Sequence, residues 1–76
     1  ELFSTSDISL AASLIYHKFS CEIDPTNSYR ATFLFKDSTE LQEVVSQFWD
    51  DSLKVSPKAF SNNLRELKVR IREGRN

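Results

Sequence analysis

Seventy-six residues make one small domain, 1–76, able to bury only about 60% of the surface its unfolded chain exposes. One cysteine excludes an internal disulfide, and one cysteine with one histidine argues against four-ligand zinc. Net charge is −1, but residues 1–55 hold four Lys/Arg against nine Asp/Glu, while residues 56–76 hold six against two.

Glu1–Ser4 reads as short and extended, a candidate edge strand. Ser4-Thr5-Ser6-Asp7 is a helix-start signal: a Ser or Thr oxygen accepts a backbone N–H, and Asp7 suits the positive end of the dipole. Ile8, Ala11, Ala12 and Ile15 then recur at i, i+3, i+4, i+7, which predicts an amphipathic helix over about 7–18. Leu10 and Leu14 widen its apolar face.

Residues 19–24 alternate apolar and polar, the period of a strand. Pro25-Thr26-Asn27-Ser28 is a cluster of turn formers. Residues 29–36 form a second strand rich in aromatic and β-branched side chains. Tyr29, Ala31, Phe33 and Phe35 share one face of it, which leaves Leu34 on the other. The two strands read as an antiparallel hairpin.

Asp37-Ser38-Thr39-Glu40 opens a second helix, with Asp37 or Ser38 as its cap. Leu41, Val44, Val45 and Phe48 form its buried stripe, and Trp49 lies beside it. Ser56-Pro57 starts a third helix, with Val55 and Phe60 as a hydrophobic staple and Gly74 as the stop. The fold class is therefore α+β: an antiparallel β-hairpin packed against three α-helices, in the order α-β-β-α-α. The expected core is Ile8, Ala11, Ala12, Ile15, Phe19, Cys21, Ile23, Phe33, Phe35, Leu41, Val45, Phe48, Phe60, Leu64, Leu67 and Ile71.

These residues resemble a family of small bacterial and phage-encoded domains with no assigned function. The likeness rests on Thr5-Ser6-Asp7, Ala11-Ala12 and Leu14. It continues through Phe33-Leu34-Phe35-Lys36-Asp37, Trp49, Val55 and Phe60 to Leu64-Arg65-Glu66-Leu67-Lys68. The family often places Gly after the first helix, where this chain has Lys18-Phe19. The resemblance supplies no catalytic residues. It implies a setting of host takeover, replication or gene regulation in phages and mobile elements.

Little chemistry is expected. His17, Cys21 and Glu22 are near in sequence, but His17 reads better as a cap on the first helix and Cys21 as a small core residue. No glycine-rich loop supports a Cys–His nucleophile, and Gly74 is the only glycine. Asp50 and Asp51 read as a solvated turn and not as a cation site. No enzyme activity, cofactor or metal is predicted. No apolar run approaches a membrane span, and a free thiol without a secretory leader points to the cytoplasm.

The third helix carries the feature that suggests a partner. Lys58, Arg65 and Arg72 recur at seven-residue spacing, and Lys68 and Arg75 fall in or beside the same sector, flanking the apolar stripe. Such a flank suits nucleic-acid phosphates. Arg30 and Lys36, on the outer face of the hairpin, would extend it if the fold places them alongside. The plain alternative is the charged face of an ordinary amphipathic helix. A competing expectation is a protein interface, homo-oligomeric or with another protein, built from Val69, Leu34 and Trp49, which do not fit the inner faces.

Overall fold

The computed structural model describes residues 1–24 and 31–74. The elements run β1 (Leu2–Thr5), α1 (Ile8–Tyr16), β2 (Glu22–Asp24), β3 (Thr32–Lys36), α2 (Thr39–Trp49) and α3 (Pro57–Gly74). The fold is α+β, with three helices on one antiparallel sheet. The expected hairpin is present, since β2 pairs with β3. Its strands are shorter than the alternation suggested: residues 19–21 lead into β2 as coil. The turn at 25–28, and Tyr29 and Arg30, lie outside the described residues.

The candidate edge strand is real and changes the order to β-α-β-β-α-α. β1 pairs antiparallel with β3, so the sheet order is β1-β3-β2 and β3 is central. Thr5 and Ile23 flank Phe33 on either side, and Phe3 flanks Phe35. Because side chains alternate, Phe3, Ile23, Phe33 and Phe35 share the face toward the helices. Leu2, Ser4, Thr32, Leu34 and Lys36 share the other.

α1 is the centre of the helical layer, packed against both α2 and α3. That position explains a departure from the expected core. Leu10, Ala11, Ala12, Ser13 and Leu14 are all buried in succession, on more than one face of the helix. Ile8 and Ile15, expected at the heart of the stripe, are only half-buried. The signal was available: Ile8–Tyr16 contains no charged residue. Ser13 satisfies its hydroxyl locally, donating to the Ser9 carbonyl at 2.9 Å.

The helix starts are built from short side chains. Asp7 itself caps α1, accepting from the Ser9 and Leu10 amides at 2.9 and 3.2 Å. The Ser/Thr oxygens expected there do less, although Thr5 Oγ1 accepts from the Asp7 amide. Ser38 caps α2 through the Leu41 amide, and Asp37 accepts instead from Gln42 Nε2. At α3, the Ser56 carbonyl takes the first helical bond from Phe60.

Two helices end in the same left-handed turn. After α1, the Lys18 amide donates to Ile15 and the Phe19 amide to Leu14. After α2, the Asp51 amide donates to Phe48 and the Ser52 amide to Gln47. This pair of bonds is the Schellman pattern, and its left-handed residue is usually glycine. Here it is Lys18, at φ 77°, and Asp51, at φ 61°. Asp tolerates that region better than Lys, whose Cβ crowds the following carbonyl. Lys18→Gly should therefore stabilise the fold by about 1 kcal/mol, and Asp51→Gly by less. For a chain of this size that is a rise of roughly 4–8 °C in Tm. A melt showing Lys18→Gly neutral or destabilising would count against strain at this turn.

Candidate nucleic-acid interface

α3 is anchored through Leu67, which is fully buried, and through the half-buried Phe60, Leu64 and Ile71. These four hold its apolar stripe on the core and fix what the opposite side presents. At about 100° per residue, Lys68, Arg72, Arg65 and Lys58 follow one another around the flank next to that stripe. All four are exposed. Arg65 Nη1 donates to Asn62 Oδ1 at 3.2 Å, which steadies the guanidinium without neutralising it. Among the described residues, none of the four is held in an ion pair. From Lys58 to Arg72 the helical rise sets a row roughly 21 Å long. Arg30 and Arg75 lie outside the described residues.

The sixth cation of this segment, Arg70, has a different job. It sits on the other flank, where Nη2 donates to the Cys21 carbonyl at 3.1 Å. That bond ties α3 to the entrance of β2 across the sequence. Sequence reading passed over Arg70, because nothing local distinguishes it from its neighbours on α3.

The three apolar candidates lie in different places. Trp49 is 64% exposed at the end of α2, edge-on to Phe48 with ring centroids 5.0 Å apart. Val69 is 40% exposed on α3, opposite the core stripe. Leu34 is half-buried on the sheet face that points away from the helices, between Ser4 and Glu22. So Leu34 shares no face with the other two. Sequence reading missed Leu2, which is 67% exposed on the same outer sheet face.

A family model described as Domain of unknown function (DUF5659) matches residues 1–73. The chain belongs to this family. No curated protein and no solved structure matches it. The family match runs from β1 to the last turn of α3, so it takes in Lys58, Arg65, Lys68 and Arg72 and stops short of Arg75.

In this DUF5659 domain His17 lies at the end of α1 and Cys21 just before β2. His17 closes α1 with its backbone N–H, while its Nε2 is buried with no hydrogen-bond partner. Cys21 Sγ donates to the Glu22 carbonyl at 3.7 Å, so thiol and imidazole are not joined. Among the described residues no group of three or more His, Cys, Asp or Glu side chains is placed to hold a metal. Nor is any described helix long and apolar enough to cross a membrane.

Burial pushes the Cys21 thiol above its ordinary pKa, against the opposing pull of Arg70 and the Leu34 amide; Glu22 adds to the rise. The folded chain thus keeps this proton to a higher pH than the unfolded chain does. Stability from this group is intact below the thiol's ordinary pKa and falls as pH rises above it. Alkylation by iodoacetamide at about pH 8 should be slower than for a cysteine in an unstructured peptide, since only the thiolate reacts. Equal rates would show that burial does not protect the sulfur.

Proposed function

We propose that this chain is a non-enzymatic binding module that grips nucleic acid by its phosphates through the basic flank of α3. The observation that carries this reading is the row Lys58, Arg65, Lys68 and Arg72: all exposed, and none held by a carboxylate among the described residues. Exposed ion pairs are worth little, and a row of unpaired cations on one flank is available to an external anion. No base-reading motif is visible in the sequence, so contacts would position the nucleic acid without selecting its sequence. The resemblance to phage and bacterial domains supports a regulatory role in the cytoplasm.

Four phosphate contacts give a salt slope of about −3.6, or roughly a 150-fold loss of affinity when salt is raised fourfold. Titration of labelled random-sequence duplex and single strands at low and high salt tests this. Tight binding that collapses with salt supports the row as the contact surface. No binding at low salt rejects it.

The second reading is a protein-interaction module. The exposure of Trp49 favours it, because a large aromatic left in water is a residue type common at binding hot spots. Binding of that kind would show little dependence on salt.

A further inference from the structure

We infer that β1 is a pairing edge for a second copy of this chain, joined antiparallel about Phe3. The proposal is independent of the phosphate-binding reading. It starts from register. The Asp37 amide donates to the Glu1 carbonyl, so Glu1 and Asp37 form a hydrogen-bonded pair. By alternation, Phe3 with Phe35 and Thr5 with Phe33 are the next such pairs. The N–H and C=O groups of Leu2 and Ser4 therefore point away from β3, along an edge that no other described strand covers. Both residues are exposed.

Edges of this kind are commonly guarded by charge, proline or a bulge. β1, Leu-Phe-Ser-Thr, carries none of these. The other edge is guarded. β2 is three residues long and holds Glu22 and Asp24, and Arg70 occupies the Cys21 carbonyl at its start. Self-pairing of β2 about Ile23 would set Glu22 against Asp24 of the second copy, carboxylate against carboxylate. Self-pairing of β1 about Phe3 sets Leu2 against Ser4 and Glu1 against Thr5, with no like charges opposed. Pairing β1 with β2 of another copy would be head-to-tail and open-ended, whereas β1 with β1 closes on a two-fold axis. Charge disfavours β2 with β2 and open-endedness disfavours β1 with β2, which leaves β1 with β1. The product is a continuous six-stranded sheet with both β2 edges outermost.

The test is mass in solution across a concentration series, by sedimentation equilibrium, for three chains. The unaltered chain should move from 8.8 kDa to twice that value with rising concentration. Leu2→Glu with Ser4→Glu places carboxylates directly opposite across the pair, and should weaken dimerisation by about tenfold. Leu2→Glu with Ser4→Lys places opposite charges there and should restore it. Both substituted side chains point to solvent, and Leu2 neighbours Lys36, so neither variant strains the fold. A circular-dichroism melt checks that. A chain monomeric up to millimolar concentration overturns the proposal. So does a dimer whose strength is the same in all three chains.

Discussion

Phe33→Ala should remove a large share of this chain's stability. Phe33 is 1% exposed, sits on the central strand, and is flanked by Thr5 on one side and Ile23 on the other. Removing a buried phenyl ring costs about 3–5 kcal/mol, in lost transfer energy and in the cavity left behind. At about 0.05–0.15 kcal/mol per residue, a chain this short holds a total of only roughly 4–11 kcal/mol. The single cysteine allows no internal disulfide, and no metal-holding cluster occurs among the described residues. The adjacent Leu34→Ala is the control. Leu34 is on the outer face and only half-buried, so its truncation should cost about 1 kcal/mol or less. Urea titrations of both variants decide the matter. Similar losses would mean that the two faces of β3 are not distinct, and would undo the assignment of an inner and an outer face.

The second large effect concerns the basic row. Arg65→Glu with Arg72→Glu should lower affinity for nucleic acid by about a hundredfold at low salt and cut the salt slope by about half. Two of the four cations would become repulsive. Neither residue is buried, and Arg65 gives up only its bond to Asn62 Oδ1, so the fold should be kept. Arg70 is the informative contrast. Arg70→Glu removes a charge of the same kind from the same helix but from the other flank. It should cost stability through the lost bond to the Cys21 carbonyl and leave the salt slope close to that of the unaltered chain. If both substitutions act alike on affinity, binding reflects the total charge of α3 and not the geometry of the row.

Periodicity carried most of the fold. The stripes of α2 and α3 put Leu41, Val45 and Leu67 in the core, and the alternation of β3 put Phe33 and Phe35 there and Leu34 outside. These are local signals, set by the 3.6- and two-residue repeats. What sequence did not disclose depends on distant partners. β1 was legible as a candidate edge strand, but its pairing with β3 was not. The all-round burial of α1 follows from having α2 and α3 on both sides, so the tidy stripe through Ile8 and Ile15 understated Leu10 and Leu14. Arg70 falls on the flank that meets β2, a fact visible only once the helix is docked. For the candidate site, the spacing of Lys58, Arg65 and Arg72 was legible because a single helix holds them all. The apolar set was not, because Leu34 lies on a different layer from Trp49 and Val69.

The central place of β3 also dictates how this chain must be made. Synthesis delivers β1 and α1 first, yet each is completed by segments that leave the ribosome much later. Nine residues are too few for α1 to persist as a helix by itself. Until Phe33 and Phe35 emerge, its uncharged surface has no sheet to rest on, and until Leu67 emerges one side stays open to water. A nascent chain halted before α3 therefore presents the stickiest part of the molecule to its surroundings. α3 is the element whose arrival ends that exposure.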